Sequence, residues 1–221
     1  RIDDTEHIVT GGVLADGTTG GAAALGIRVL VIGGGGREHA IVWALNQSSR
    51  VDSVICAPGN AGIAQHAEIR NIPVTDHDRL VRLARDEQVS LVVIGPEDPL
   101  AAGLADKFSS AGIPVASPSA AAARIESSKA WAKKLMVESG VPTARAIAAG
   151  DRETGIRAII DLADEEGGVV IKADGLAAGK GVVVANNTAD AIEALETFIT
   201  DKALGEAGST VVIEERLSGM E

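Results

Sequence analysis

Tyrosine is absent from these 221 residues, and aromatic residues make up only 2% of them. A core without large rings must be built from Val, Ile, Leu and Ala, which suits parallel strands buried on both faces. Cysteine occurs once, as Cys56, so no internal disulfide can form. A lone thiol fits a reducing compartment. Cys56 lies in the apolar run Val54-Ile55-Cys56-Ala57 and reads as a buried thiol rather than a reactive one. Positive charge is scarce: 20 Lys and Arg stand against 31 Asp and Glu, for a net charge of −11. That excludes nucleic-acid binding through a broadly basic surface. It leaves anion binding open, because salt confines surface fields to about 8 Å and local groups decide. No apolar run approaches the roughly 18 residues that cross a bilayer, so no membrane partner is expected. His7, His66 and His77 stand apart from one another in polar surroundings, so the sequence offers no metal site. Residues 1–26 show little periodicity, and no cationic segment precedes an apolar one, which argues against a signal peptide. They read as a flexible extension. The chain begins with Arg1 rather than Met, so its natural start is expected upstream.

What is plentiful is glycine, 26 residues, and aliphatic side chains arranged in short runs. The pattern predicts strands at 27–32, 53–57, 91–94 and 113–116. Helices are predicted between them at 37–46, 76–87 and 100–111. Strands alternating with helices of these lengths indicate βαβ units around a parallel sheet. This Rossmann-like unit runs from 27 to about 118. A helix at 127–139 follows, closed by Gly140 and Pro142. Beyond it the pattern predicts strands at 144–148, 169–173, 181–185 and 210–215, with helices at 152–165 and 189–200. This second part makes a small α+β lobe.

The most informative stretch is Val169-Val170-Ile171-Lys172-Ala173-Asp174-Gly175-Leu176-Ala177-Ala178-Gly179-Lys180-Gly181-Val182-Val183-Val184. Two β-branched runs flank a loop of small residues with a lysine on each side of the turn. Small residues let backbone N–H groups approach an anion, and lysine adds a mobile positive charge. The segment reads as strand, phosphate-covering loop, strand. A P-loop would need four residues between its glycines, then Lys-Ser/Thr opening a helix. Here three residues separate Gly175 from Gly179, and Gly181 stands where the hydroxyl should be. Lys172 follows an apolar run directly, so its stem should be packed and its ammonium aimed at the loop.

Three further loops leave predicted strand ends. The first, Gly33-Gly34-Gly35-Gly36-Arg37-Glu38-His39-Ala40, places glycines and Arg37 at a helix start, which suits a phosphate. A dinucleotide is disfavoured, because the second strand ends in Cys56-Ala57-Pro58-Gly59-Asn60 with no acid for a ribose. That second loop, Pro58-Gly59-Asn60, and a third, Gly95-Pro96-Glu97, leave the same kind of strand end. Ligands of open α/β sheets lie outside the carboxyl ends of the strands, so the three loops could share one sugar phosphate. Glu97 could accept from hydroxyls or an amine. Alone, the second and third loops are more often simple turns.

Taken together, these residues resemble the phosphoribosylamine–glycine ligases, ATP-grasp enzymes of purine biosynthesis. The matching segments are 29–40, 57–62, 93–100, 126–133, 169–184 and 211–221, in the family's order. The resemblance implies an α/β fold, with a Rossmann-like parallel-sheet domain at 27–118 and an incomplete ATP-grasp domain after it. The ATP-grasp part divides into a linker and start of core at 119–145, a small lobe at 146–213, and an adenine hinge at 214–221. It implies a cytoplasmic enzyme that uses ATP and Mg2+ (or Mn2+) to join glycine to 5-phosphoribosylamine through a glycyl phosphate. Lys129 and Lys172 would contact ATP phosphates, and the loop Asp174, Gly175, Gly179, Lys180, Gly181 would close over them. Glu214 would accept from the adenine amine. Glu215 would sit beside it in the hinge. The Arg216 and Leu217 backbone would hold the adenine edge, and Glu221 would bind ribose. Gly34, Gly35, Gly36, Arg37, Glu38, Pro58, Gly59, Asn60, Gly95, Pro96 and Glu97 would hold phosphoribosylamine. The sequence departs from the family at Arg216, where an aromatic residue is usual, and at Met220, where an acid is. Family members run about as long again, so the chain reads as an N-terminal fragment, inactive alone, with the magnesium ligands beyond it. The alternatives are another ATP-grasp ligase of purine metabolism, or a non-catalytic nucleotide-binding module.

Overall fold

The computed structural model describes residues 26–177 and 179–219. The expectations for residues 1–25, Ala178, Met220 and Glu221 lie outside these. Two four-stranded sheets organise the described chain.

The first sheet is parallel, in the order β3-β2-β1-β4. Its strands are β1 (Ile27–Gly33), β2 (Val51–Pro58), β3 (Glu68–Ile69) and β4 (Leu91–Ile94). Side chains alternate across a strand, and here both faces are covered. Leu30, Ile32 and Ile55 pack with Leu80 of α2 (His77–Asp86) and Phe108 of α4 (Leu104–Ser110). Val29, Val31, Val54 and Cys56 pack with Val42 of α1 (Gly36–Asn46). Aliphatic-only strands are what such two-sided burial requires.

Cys56 is fully buried, and its Sγ lies 3.4 Å from the Gly33 carbonyl. Burial, then the charge of Glu38, pushes its pKa from 9.0 up to about 11. The folded value is raised above the unfolded one. The stabilisation is therefore complete below about pH 9 and lost as pH climbs toward about 11. Urea titrations at pH 7, 9 and 11 should show wild type losing about 2–3 kcal/mol more than Cys56→Ala across that window. Parallel losses in both proteins would place the alkaline sensitivity elsewhere.

Two expectations change here. A single helix at 100–111 is replaced by α3 (Glu97–Ala101) and α4. Gly103 breaks it, with φ of +82°, a left-handed conformation that glycine adopts without a Cβ clash. The strand at 113–116 is reduced to one isolated parallel bridge between Val92 and Val115.

The second sheet is antiparallel, in the order β5-β8-β6-β7. Its strands are β5 (Ala146–Ala149), β6 (Val169–Ala173), β7 (Val182–Ala185) and β8 (Val211–Glu215). One face buries Val169, Ile171, Val211 and Ile213 under α7 (Arg152–Leu162) and α8 (Thr188–Leu195). The opposite face carries Val170, Lys172, Val212 and Glu214, with Val182 and Val184 roughly half exposed on the edge strand. The helix expected to run to Thr200 ends at Leu195 and widens into a π-helical turn over Glu196–Thr200.

Two helices join the sheets. One is α5 (Ala120–Ser127), capped by Ser119; the other is α6 (Lys129–Glu138), capped by Ser128. Helix α5 had no periodic signal because none of its residues is buried. It packs on α3, and Arg124 stacks 4.8 Å from the Trp131 ring of α6.

Candidate functional site

At the carboxyl end of the parallel sheet the three loops converge. Asn60 Nδ2 donates to the Gly34 carbonyl at 2.8 Å, joining the first and second loops. Arg37 donates to Glu97 Oε2 at 3.2 Å, joining the first and third. Gly34 and Gly59 approach so closely that a Cβ at Gly34 would stand 2.7 Å from the Gly59 carbonyl. The Ala57-Pro58 peptide is cis, and Pro96 caps α3. The first-turn amides of α1, at Gly36, Arg37 and Glu38, have no intrahelical acceptor and carry the positive end of the helix dipole. A Cβ at Gly36 would meet nothing within 4 Å, so open space lies over this turn. Hydrogen bonds to Glu38 and then Glu97 raise the Arg37 pKa, so its cation is secure.

Glu38 departs from the expectation of a ligand contact. It is 3% exposed and points inward. Oε2 accepts from the Gly35 N–H at 2.7 Å, and Oε1 from Arg37 Nε at 3.1 Å. Its stem fills the space that side chains at Gly33 and Gly95 would occupy. Glu38 therefore braces the rim from below.

The second cluster surrounds the glycine loop. Lys129 opens α6 and donates Nζ to the Gly175 carbonyl at 3.0 Å and the Asp174 carbonyl at 3.4 Å. Burial lowers the Lys129 pKa, the Asp174 charge opposes this, and nearby Lys172 adds to it. Asp174 also departs from its expected role as a ligand contact. Its Oδ1 accepts from the Ala130 N–H at 2.6 Å, and both its oxygens accept from Ser128 Oγ. It pins the loop to the start of α6. Gly175 is required by the turn over Gly205–Gly208, since a Cβ would lie 2.8 Å from Ala207 Cα. Gly181 similarly abuts Ala177, whereas Gly179, at φ of +80°, and Lys180 are exposed at the loop tip.

Lys172 lies diagonally across the β6–β8 pair from Glu214, and their side chains meet at 2.9 Å. Glu214 is 5% exposed. Next to it on the same face, Val212 lines a cleft of about 410 Å³ between α6 and β5. The end of β8 behaves differently from expectation. Glu215 is held by Arg145, through its N–H and its guanidinium, both at 2.7 Å, and these bonds lower its pKa. Arg216 turns back to Asp164 at 2.7 Å, Glu166 at 2.8 Å and Asn186 at 3.0 Å. Its guanidinium sits where a Gly168 side chain would stand. The Arg216 charge is thus met by Asp164 and Glu166. Leu217 is 69% exposed.

The sequence reading missed Lys133, Arg145 and Asp164. Lys133 follows Lys129 by one helical turn, a spacing that shares a face, and that signal was available.

Comparisons with known proteins identify the family. Residues 27–126 match the family described as phosphoribosylglycinamide synthetase, N domain, and residues 127–221 match its ATP-grasp (A) domain. A phosphoribosylamine–glycine ligase of Xylella fastidiosa is 49% identical over 197 residues, covering 88% of this chain and 45% of the relative. The trifunctional purine biosynthetic protein adenosine-3 of Gallus gallus is 47% identical over 196 residues, covering 88% of this chain and 19% of the relative. A crystal structure of phosphoribosylamine–glycine ligase from Thermotoga maritima superposes with a TM-score of 0.70 at 32% identity, covering 88% of this chain and 45% of that one. The chain spans about half the length of the ligases it matches. With the two matches running consecutively over residues 27–221, the chain belongs to the phosphoribosylglycinamide synthetase (phosphoribosylamine–glycine ligase) family.

Proposed function

We propose that this chain supplies the phosphoribosylamine-binding rim and the nucleotide-binding lobe of an ATP-dependent ligase. The carrying observation is the pair of separated clusters: an anion-ready helix start in the parallel lobe, and lysines around a glycine loop in the antiparallel one. In this reading the phosphate of 5-phosphoribosylamine lies on the first-turn amides of α1, with Arg37 beside it. Asn60 and Glu97 face its sugar. Lys129 and Lys172 attend ATP phosphates, the exposed loop tip at Gly179 and Lys180 covers them, and Glu214 meets the adenine amine. A hinge over residues 214–221 completes the nucleotide site, and the partition of the chain follows the segments read from the sequence.

The reaction consumes ATP to form a glycyl phosphate and ADP. The amine of phosphoribosylamine then attacks the acyl carbon and expels phosphate, giving glycinamide ribonucleotide. The contribution of these residues is positioning and charge stabilisation. ATP-grasp relatives imply magnesium. Among the described residues no group of three or more His, Cys, Asp or Glu converges on a common point. Magnesium beside a nucleotide needs only one or two carboxylates together with the phosphates, and no step here is routed through it.

The test is ADP release in a protein carrying this chain through the full family length. It should require glycine and phosphoribosylamine together. Residues 1–221 by themselves are expected to release none. ADP release that ignores glycine, or that needs a different acceptor, would overturn the assignment.

A further inference from the structure

One buried carboxylate, Glu214, receives two lysines on the same oxygen. Lys172 Nζ lies 2.9 Å from Oε2, and Lys133 Nζ 3.2 Å from it. Among the described residues no hydrogen bond reaches Oε1. The two lysines are not equivalent. Lys133 is 14% exposed, and its ammonium also donates to Thr143 Oγ1 at 2.6 Å and to the Ala144 carbonyl at 3.1 Å. Two of its donors are therefore spent on protein acceptors that hold the ammonium in place, and its charge lies against Glu214 as an ion pair. It joins α6, the approach to β5, and β8. Lys172 is 28% exposed, and Glu214 is its one side-chain partner among the described residues.

This asymmetry matters when a nucleotide arrives. If Lys172 swings to a phosphate, Glu214 loses one counter-charge in a buried place. An unpaired buried carboxylate is costly, and without a fixed partner Glu214 would lose the orientation in which one oxygen is left to face an amine. Lys133 prevents this, because it stays paired to Oε2 whatever Lys172 does.

We propose that Lys133 is a positioning residue for purine recognition. It holds Glu214 by Oε2, so that Oε1 is offered to an exocyclic amine while Lys172 is released to a phosphate. The proposal rests on the nucleotide site described above and deepens it.

The probes are ATP and inosine triphosphate, in which a carbonyl oxygen replaces the amine. Dissociation constants for both would be measured by calorimetry in wild type, Lys133→Met, Lys133→Gln and Lys133→Arg, with thermal unfolding alongside. Wild type should prefer ATP. The Met variant should lose about tenfold or more in ATP affinity with a much smaller change for inosine triphosphate, so that the preference collapses. The Arg variant should retain the preference. If the Met variant fails to fold, the ratio in the Gln variant decides. An unchanged ratio in a folded uncharged variant, or equal losses for both nucleotides, would reduce Lys133 to a structural strut and overturn the inference. A wild-type protein that binds neither nucleotide would instead overturn the nucleotide site itself, and the inference with it.

Discussion

Lys172→Ala, in a protein carrying this chain through the full family length, is expected to lower ligase turnover by about 10- to 150-fold while leaving the fold nearly as stable as wild type. The first half follows from the worth of a charge-assisted contact to phosphate, about 1.5–3 kcal/mol. The second half follows from the geometry. Deleting a partner of a buried carboxylate usually costs about 3–5 kcal/mol, because a charge is stranded. Here Lys133 remains on the same Glu214 oxygen at 3.2 Å, so the carboxylate stays paired. Glu214→Ala should behave in the opposite way. It leaves Lys133 and Lys172 facing each other without a counter-charge, and should destabilise the antiparallel lobe as well as lower turnover. Steady-state kinetics and urea unfolding on the two variants separate the roles. Wild-type turnover in Lys172→Ala would remove Lys172 from the site. A large loss of stability in that variant would show that its ion pair serves the fold rather than the nucleotide.

Much of this arrangement was legible in the sequence, and the reasons are specific. The alternation of strands and helices in the first lobe was readable because β1, β2 and β4 are aliphatic runs buried on both faces. The packed stem of Lys172 was readable because it follows an apolar run whose alternate residues are buried. The tight loop after β6 was readable because small residues are dense there, and at two glycines for a steric reason: Cβ atoms at Gly175 and Gly181 would strike Ala207 and Ala177. Helix α5 was not readable. It packs through small residues, and none of its positions is buried. The break at Gly103 was missed because a glycine within a helical pattern is ambiguous until its φ is known.

The site residues divide along similar lines. Local motifs point to which residues gather, and the structure decides which way each one faces. Glu38 and Asp174 both sit beside glycines in ligand-like loops, yet both spend their carboxylates on backbone amides. Arg216 occupies a position where an aromatic residue was expected. Its partners Asp164, Glu166 and Asn186 lie 30 to 52 residues away in sequence. No local pattern could reveal that its charge is met by Asp164 and Glu166. Long-range ion pairs are the part of a site that periodicity leaves unspecified.

Gly36→Val, in the same full-length protein, is expected to raise the KM for phosphoribosylamine by about tenfold or more and to leave ATP affinity unchanged. A phosphate on the first turn of α1 would lie over Gly36, where a Cβ meets nothing within 4 Å. The substitution therefore adds bulk to the space assigned to the ligand and to no protein atom. Its intrinsic effect on the helix is small and favourable, a few tenths of a kcal/mol, because valine is a better helix former than glycine. Gly35 is a poorer place for the same test. Its added Cβ would stand 3.0 Å from Glu38 Oε2, and Glu38 holds the Gly35 N–H, so the brace beneath the rim would be disturbed too. Losing one charge-assisted phosphate contact corresponds to about 1.5 kcal/mol, hence the tenfold figure as a lower bound. The ATP cluster belongs to the other sheet and shares no residue with this rim, so its affinity should not move. An unaltered KM would take the phosphate off the α1 turn. Equal losses for phosphoribosylamine and ATP would mean that the two clusters are one site, or that the substitution had damaged the fold on which both depend.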